Sequence, residues 1–329
     1  MGATTVFLTG GTGIIGSNVA ELLILQGNEV RALVRSETDA GPLSELGVKL
    51  FQGDVTEMES VVRAADGAEY AIHCAALLGG ATQDRTQFEA VNVGGSSNIF
   101  DAAQQVGIRR VSYLSTVTCL DVNTTLTETS PLSSSNSLDP YSETKRRTYL
   151  DGISRVEAGQ DICFIASGPA YGPCPMPQRS MVAPSWNQRM AAAVEGALAE
   201  YVAMPLPFVL ARDVASASIS ALEHGVSGER YLAVGRTEDV MSMPAFCNKA
   251  CELAGSEWRV REIGVEELDD PELLARLGPS IIGLAKQQYA DPFVRNSLTV
   301  ERLDYHPVSV EEGLELTIPW MRAHNLLAA

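Results

Sequence analysis

Tyr141 and Lys145 are two residues whose types and spacing suit acid–base chemistry. They stand four residues apart in the segment Tyr-Ser-Glu-Thr-Lys, so on a helix they share one face. A tyrosine hydroxyl titrates near pH ~10 in water, and a nearby ammonium group stabilises the phenolate and lowers that pKa. On a helix, the pair could therefore act as a general acid and base near neutral pH. The alternative is an ordinary surface pair.

The residues before Tyr141 predict where its helix begins. Asp139 is a favoured N-cap residue, and Pro140 suits the first helical position. Tyr141 is therefore expected in the first turn, with Lys145 one turn later.

A second candidate for chemistry is a glycine-rich turn near the start of the chain. Gly10, Gly13 and Gly16 follow Thr9 and separate the apolar run Val6–Leu8 from a helical pattern. Glycine permits positive φ and close backbone approach, and the free amides of a helix N-terminus attract anions. A dinucleotide pyrophosphate is the usual ligand of such a turn, and a tight turn without a ligand is the alternative.

Alternating apolar runs and helical patterns must position these residues. This alternation predicts an α/β protein with a doubly wound parallel sheet, the Rossmann architecture. The predicted strands are Val6–Leu8, Val30–Val34, Val48–Phe51, Tyr70–Cys74, Val111–Leu114 and Ile162–Ala166. Predicted helices lie at Asn18–Leu25, Met58–Ala65 and Phe88–Gln105.

The second half of the chain has a looser pattern, which predicts a smaller, interrupted C-terminal substrate-binding lobe. A helix is expected near Trp186–Glu200, a further helix and strand within Ala211–Val234, and a mostly helical, acidic tail. The predicted dinucleotide-binding domain takes residues 1–170 and a return segment at about 208–234. The substrate-binding lobe takes about 171–207 and 235–329.

The motifs together resemble the extended short-chain dehydrogenase/reductase superfamily, in its epimerase-like branch. The glycine spacing is G-x-x-G-x-x-G, and Y-x-x-x-K follows the fifth strand. Ser96 stands where that superfamily usually has threonine, which is a mild departure. Further matching segments are Gly53–Val55, His73–Ala76, Asn92–Asn98, Gly168–Pro173, Arg212–Ala215 and Val310–Trp320.

The resemblance implies roles for individual residues. Thr116 would hold the substrate oxygen beside Tyr141, with Ser115 as the fallback; otherwise both hydroxyls merely satisfy the strand end. The implied catalytic residues are Thr116, Tyr141 and Lys145. The implied cofactor-binding residues are Thr9, Gly10, Gly13, Ile14, Ile15, Gly16, Arg35, Asp54, Val55, Cys74, Ala75, Ala76, Ser115, Tyr141, Lys145, Pro169 and Ala170.

Arg35 favours NADP(H) over NAD(H). An acidic residue at the end of the second strand would bind the ribose 2′-hydroxyl of NAD, but Val34 occupies that position. The guanidinium of Arg35, the next residue, suits a 2′-phosphate. A solvated arginine with no ligand is the alternative.

These features favour an NADP(H)-dependent oxidoreductase that acts on a carbonyl or alcohol, similar to dihydroflavonol reductases and 3β-hydroxysteroid dehydrogenases. Apolar segments in the lobe predict a small hydrophobic or aromatic substrate. One alternative is an NAD-dependent nucleotide-sugar epimerase or dehydratase, although Val117-Thr118 replaces the Asp-Glu pair of the sugar dehydratases. A second alternative is a non-catalytic dinucleotide-binding protein.

Composition excludes several other classes. With 24 Lys and Arg against 41 Asp and Glu, the net charge of −17 disfavours nucleic acid and anionic lipid. No apolar stretch is long enough to span a bilayer, so no membrane partner is expected. The six scattered cysteines predict reduced thiols in the cytoplasm, and no ligand set for a metal is evident. The resemblance also implies a homodimer.

Overall fold

The computed structural model describes residues 4–82, 84–134, 139–287, 289, 291 and 293–327. Residues 1 and 329, the outer limits of the two predicted domains, lie outside these ranges. The strands are β1 Thr5–Thr9, β2 Glu29–Val34, β3 Lys49–Gln52, β4 Tyr70–His73, β5 Arg110–Thr116, β6 Ile162–Ser167, β7 Ala170–Tyr171, β8 Glu200–Val202, β9 Pro205–Leu206, β10 Val209–Leu210, β11 Arg230–Ala233, β12 Met241–Ser242 and β13 Arg261–Ile263.

The helices alternate with these strands in the first half of the chain and dominate the second half. They are α1 Ile14–Leu25, α2 Gly41–Glu45, α3 Met58–Ala65, α4 Arg85–Phe88, α5 Gly95–Val106, α6 Pro140–Glu157, α7 Trp186–Val194, α8 Ala211–His224, α9 Met243–Ala254, α10 Pro271–Ala285, α11 Ser297–Leu303 and α12 Val310–Ala323. Short 3₁₀ turns lie at Val117–Cys119, Arg179–Met181, Thr237–Asp239 and Val265–Glu267.

Seven strands form one parallel sheet in the order β11-β6-β5-β4-β1-β2-β3. The predicted doubly wound Rossmann sheet is therefore confirmed, with β11 added beside β6. The strand order reverses between β1 and β4, and open sheets of this kind bind ligands at such a switch point. Every residue of β6 is buried, as expected of a strand covered on both faces.

Helices cover both faces of the sheet. Helices α1 and α8 pack together on one face, and α3 packs against α5 on the other, next to α6. A second hydrophobic core is built from α7, α9, α10 and α12, and in it the rings of Phe208 and Phe246 stack with centroids 4.1 Å apart. Within the described residues, no helix is long and apolar enough to cross a bilayer.

Two predicted helices differ from the structure. The single helix predicted at Phe88–Gln105 begins as a π-helical segment, Glu89–Gly94, before α5. The helix predicted near Trp186–Glu200 ends at Val194, because Gly196 adopts φ +77° and Glu200 opens strand β8. The alanine-rich sequence of residues 186–200 does not by itself predict this turn.

Candidate active site

The glycine turn joins β1 to α1, and two of its glycines are sterically required. Gly10 has φ +72°, and a Cβ there would lie 2.6 Å from Ala75 N. A Cβ at Gly16 would lie 2.2 Å from Gly10 O. A Cβ at Gly13 would make a tight contact with Gly10 O, at 3.3 Å, but would meet no other heavy atom of the described residues within 4 Å, so the space beyond Gly10 O is open. The turn therefore has a tightly packed inner side and an accessible outer side.

Helix α1 begins directly behind this open side. Gly13 is its N-cap, and no side chain among the described residues caps the first turn. Gly13 N donates to Gly10 O, and Ser17 N is the first amide to bond back to Gly13 O. The amides of the first helical turn, from Ile14 and Ile15 onwards, therefore face outward with the positive end of the helix dipole. These features fit a bound pyrophosphate.

Arg35 directly follows β2, at the same carboxyl edge of the sheet as the glycine turn. It lies next to a cleft of about 410 Å³. The cleft is lined by Arg35, Gln52, Gly53, Asp54 and Glu57. The Arg35 side chain is exposed, directly after the buried Val34 that ends β2. The structure thus brings Arg35 and Asp54 to one cleft.

The side chains of Asp54 and Val55 make contacts within the protein. Asp54 Oδ1 accepts hydrogen bonds from Thr56 N (2.9 Å) and Thr56 Oγ1 (2.8 Å), which forms a local turn rather than a helix cap. The N-cap of α3 is Glu57. Val55 packs against Gly95, where an added Cβ would lie 2.7 Å from Val55 Cγ2. Asp54 thus lines the cleft in a fixed local turn, whereas Val55 packs against α5.

Thr9 and His73 form a buried hydrogen-bond chain that the sequence did not reveal. His73 Nδ1 lies 2.6 Å from Thr9 Oγ1, and His73 Nε2 lies 2.8 Å from Ser96 Oγ. Ser96 donates to Asn92 O, so its oxygen accepts from His73 Nε2–H. The unprotonated Nδ1 then accepts from Thr9, whose oxygen accepts from Ala75 N. Thr9 therefore holds the His73 ring and the main chain at Ala75 in place through hydrogen bonds.

His73 is neutral in this buried, hydrogen-bonded arrangement. Burial, and secondarily the charge of Lys145, lower the pKa of His73 to about 3. Burial also raises the pKa of the neighbouring Cys74 thiol to about 12. Cys74, Ala75 and the half-buried Ala76 lie across the switch point from Gly10, and they provide backbone and small side chains rather than reactive groups.

Asp139 places Tyr141 as the sequence predicted. Its Oδ1 accepts from Tyr141 N (2.9 Å) and Ser142 N (3.1 Å), and Pro140 is the first residue of α6. Tyr141 is half-buried, and a Cβ at Gly79 would come within 3.5 Å of its Cβ. Tyr141 therefore packs beside the main chain of Gly79, which has no side chain.

The pKa of Tyr141 departs from the expected direction. Burial raises the pKa of its hydroxyl, and hydrogen bonding with Thr116 opposes that rise only in part. Thr116 Oγ1 also accepts from Thr118 N at 3.2 Å. The buried Ser115 hydroxyl faces Cys119 Sγ at 3.9 Å. Of the two hydroxyls at the end of β5, Thr116 is therefore the one that affects the pKa of Tyr141.

Lys145 does not act on Tyr141 as expected from their spacing. Its ammonium nitrogen donates a 2.6 Å hydrogen bond to Leu114 O and lies 4.7 Å from the Tyr113 ring centroid. Only 3% of Lys145 is exposed, and burial lowers its pKa to about 8. The expectation that Lys145 lowers the pKa of Tyr141 is thus not met in this structure, because burial raises that pKa and the Lys145 ammonium is hydrogen-bonded to Leu114 O instead.

The loop after β6 closes the other side of the site. Gly168 has no room for a side chain, since a Cβ would lie 2.5 Å from Pro207 O. Pro169 O accepts from Val209 N at 3.1 Å, and Ala170 pairs with Val209 across β7 and β10. Pro169 and Ala170 are thereby held against the lobe, at the end of the strand next to β5.

Known proteins resemble the chain along most of its length. The model of the family described as "NAD dependent epimerase/dehydratase family" matches residues 6–234. Sterol demethylase protein B of Methylococcus capsulatus is 29% identical over 240 residues, or 70% of each chain. A putative dihydroflavonol 4-reductase of Synechocystis sp. is 26% identical and spans 98% of this chain and 96% of its own.

Solved structures show the same fold. The crystal structure of gox2253 superposes with a TM-score of 0.86 at 24% identity and covers 99% of this chain and 100% of its own. The glycine turn, the strand order and the family model all lead to one assignment. The chain belongs to the NAD dependent epimerase/dehydratase family, within the extended short-chain dehydrogenases/reductases, and is an oxidoreductase-type enzyme that uses a nicotinamide dinucleotide.

Proposed function

We propose that this enzyme transfers hydride between NADP(H) and a carbonyl or alcohol of a small hydrophobic or aromatic substrate. The observation that carries the proposal is the tie between the start of α6, which carries Tyr141, and the end of β5, which carries Thr116. Ser142 Oγ donates to Thr118 Oγ1 at 2.8 Å, and Thr118 N donates to Thr116 Oγ1 at 3.2 Å, at the same sheet edge as the glycine turn. A polar pair at this edge can hold a carbonyl oxygen, while the turn holds the dinucleotide.

The protein residues then have distinct tasks. Thr116 and Tyr141 hold the carbonyl oxygen, and Tyr141 donates the proton that the developing alkoxide needs. The raised pKa of Tyr141 keeps this proton in place until charge develops on the oxygen. Lys145 would anchor the nicotinamide ribose, and its buried cation stabilises negative charge nearby. The bound nicotinamide supplies the hydride.

The preference for the phosphorylated cofactor rests on Arg35. The side chain is exposed at the mouth of the cleft that Asp54 and Gln52 also line. A guanidinium pairs well with a phosphate monoester through parallel hydrogen bonds. No acidic residue stands at the end of β2, where NAD-specific proteins bind the ribose hydroxyls.

The aromatic core of the lobe and the names of the relatives support the proposal of a hydrophobic or aromatic substrate. Trp186 packs edge-on against the ring of Phe208, which stacks on Phe246, so the hydrophobic core beside the loop that carries Pro169 is rich in aromatic rings. The relatives named above carry names that refer to a sterol and to a dihydroflavonol, both built from apolar rings. We therefore place ring-bearing carbonyl compounds first among candidate substrates.

Two further proposals concern the setting of the enzyme. All six cysteines are free thiols, which supports a reducing, cytoplasmic compartment.

A homodimer through α5 and α6 is supported by Leu150 on α6, of which 43% is exposed. Light scattering of the wild type and of a Leu150→Glu variant tests the dimer, since the added charge should give a monomer.

The function is tested by titrating cofactor-free protein with NADPH and with NADH at one salt concentration, followed by nicotinamide fluorescence. We expect tighter binding of NADPH, and NADPH oxidation with aryl ketones and aldehydes. Equal or tighter binding of NADH, with turnover of UDP-glucose, would instead support a nucleotide-sugar epimerase. Cofactor binding without turnover of any carbonyl compound or sugar nucleotide would support a non-catalytic binding protein.

A further inference from the structure

Lys145 is a buried cation without an acidic partner. Only 3% of its surface is exposed, and no carboxylate of the described residues forms an ion pair with it. Lys49 and Lys286, by contrast, are exposed, and each pairs with a carboxylate. Within the described part of the chain, the Lys145 ammonium group donates one hydrogen bond, to Leu114 O. Because burial without pairing favours the neutral amine, a second stabilising contact matters here.

The ring of Tyr113 provides such a contact. Lys145 Nζ lies over this ring, 4.7 Å from its centroid. The electron-rich face of an aromatic ring attracts a cation within about 6 Å of the centroid. Since both side chains are buried, water screens this attraction little, and cation–π contacts are strongest when desolvated.

The other ionisable groups around Lys145 carry no compensating charge. Two of them are the thiols of Cys74, directly after β4, and Cys119, in the turn after β5. Burial raises the pKa of both thiols, so both stay protonated near neutral pH. His73 is neutral because burial lowers its pKa to about 3, and the Tyr141 hydroxyl is protonated because burial raises its pKa. The electron-rich group that faces the ammonium is therefore the aromatic ring.

Other rings hold Tyr113 in place. Phe100 and Phe164 pack edge-on against it, with centroids 5.8 Å and 6.2 Å away, and the His73 ring lies 5.6 Å away. No part of Tyr113 is exposed. The ring under Lys145 is thus fixed by the core on the α5 side of the sheet.

We propose that Tyr113 is a positioning residue for Lys145, because its ring face keeps the ammonium group charged and holds it at the end of β5. The inference rests on the proposed function, in which this cation anchors the nicotinamide ribose and stabilises negative charge. Tyr113 acts through Lys145 and not on the substrate. A ring with a weaker negative face should therefore lower the pKa of Lys145 further below its ordinary value.

Fluorination of the ring tests this role without changing the packing. Tyr113→trifluorophenylalanine, made by amber suppression, keeps the aromatic ring but withdraws electron density from its face. Tyr113→Phe is its reference, since it keeps an unmodified face. Phe164→trifluorophenylalanine is the matched control, because Phe164 packs in the same core and no cation of the described residues lies over its ring.

Two measurements report the charge of Lys145. Urea unfolding of each variant, with and without Lys145→Met, gives the pH range over which this charge costs stability. The range begins at the pKa of folded Lys145, about 8, and ends at the unfolded value of 10.5. The pH profile of kcat/KM, for NADPH oxidation with 1-phenyl-1,2-propanedione as the probe substrate, reports the same group during turnover.

We expect Tyr113→trifluorophenylalanine to lower the beginning of this pH range by about one pH unit, and the matching limb of the kcat/KM profile with it. Tyr113→Phe and the Phe164 control should leave both near pH 8. An unchanged range, or an equal shift in the Phe164 control, would overturn the role of Tyr113 and leave the oxidoreductase proposal standing. A wild type that oxidises no NADPH would overturn the proposed function, and the unfolding measurement, which needs no turnover, would still show whether the ring stabilises the cation.

Discussion

Lys145 Nζ donates a 2.6 Å hydrogen bond to the main-chain oxygen of Leu114, two residues before Thr116. This bond ties helix α6, which carries Tyr141, to strand β5, which carries Thr116. A single buried cation thus sets the spacing of the two groups proposed to hold the substrate oxygen. Because a main-chain carbonyl is a weak partner for a buried charge, the arrangement is costly to stability.

Replacing Lys145 should therefore stabilise the protein while removing activity. Its pKa falls from 10.5 to about 8, which corresponds to a penalty of roughly 3 kcal/mol by linkage. The lost bond to Leu114 O offsets about 1–3 kcal/mol of the gain. We expect Lys145→Met to unfold at a slightly higher temperature than the wild type and to lose about 10²–10⁴ in kcat/KM.

The pH dependence of this difference has a definite sign. Between pH 8 and 10.5 the unfolded chain binds more protons than the folded one. The penalty is therefore complete below pH 8 and disappears as the pH rises past 10.5. Calorimetry of Lys145→Met, with the exposed Lys249→Met as control, measures it. A variant that is less stable than the wild type at pH 7 would contradict the prediction.

His73 should make the protein sensitive to mild acid. Its pKa falls from 6.5 to about 3, so stability is present above pH 6.5 and is lost progressively as the pH falls towards 3. The expected loss is roughly 2 kcal/mol at pH 5. His73→Gln removes the titrating ring and should flatten this part of the profile, whatever its effect at pH 7. Urea unfolding at pH 7, 6 and 5 compares the two, and parallel profiles would exclude His73 as the cause.

Gly10 and Gly13 should respond in opposite ways to alanine. At Gly10 the Cβ meets Ala75 N at 2.6 Å and φ is +72°, so Gly10→Ala should lose about 2–5 kcal/mol of stability. At Gly13 the contact is 3.3 Å and φ is −84°, so Gly13→Ala should lose only about 1 kcal/mol of stability, as expected for alanine at an N-cap, and stay folded. Its methyl group occupies the open side of the turn, and we expect NADPH affinity to fall at least tenfold.

Thermal melts and NADPH titrations of both variants check this pair. Unchanged NADPH affinity in a folded Gly13→Ala protein would place the pyrophosphate elsewhere.

Arg35→Ala should weaken NADPH and leave NADH unaffected. A charge-assisted hydrogen bond contributes about 1.5–3 kcal/mol, so the ratio of the two dissociation constants should change by roughly 10- to 150-fold. Arg63→Ala is the matched control, because Arg63 donates to Gln52 O at the edge of the same cleft. If both variants weaken NADPH equally, general charge rather than a phosphate contact is responsible.

The strands and the start of α6 could be predicted from the sequence, because each depends on a short local pattern of residues. Apolar runs marked β1 to β6, because strands buried on both faces need continuous apolar side chains. Asp139 and Pro140 predicted the start of α6, because capping is decided within four residues. Both kinds of signal lie within a short stretch of chain.

Long-range partners could not be predicted in this way. His73 bonds to Thr9 and Ser96, which lie 64 and 23 residues away, and no pattern in the sequence joins them. The partner of Lys145 is a main-chain oxygen, which any residue supplies. The direction of the pKa shift at Tyr141 likewise depends on burial, which only the folded chain determines.

Strand β11 pairs with β6, although the chain between them makes β7 to β10 and helices α7 and α8. The chain thus leaves the sheet after the last nucleotide-binding strand and returns to complete it. Residues 171–207 are therefore an excursion from the sheet that the buried strands β6 and β11 anchor on either side. Insertions or exchanges within it can alter which compound is accepted while the residues proposed to carry the chemistry, all encoded before Ser167, stay as they are.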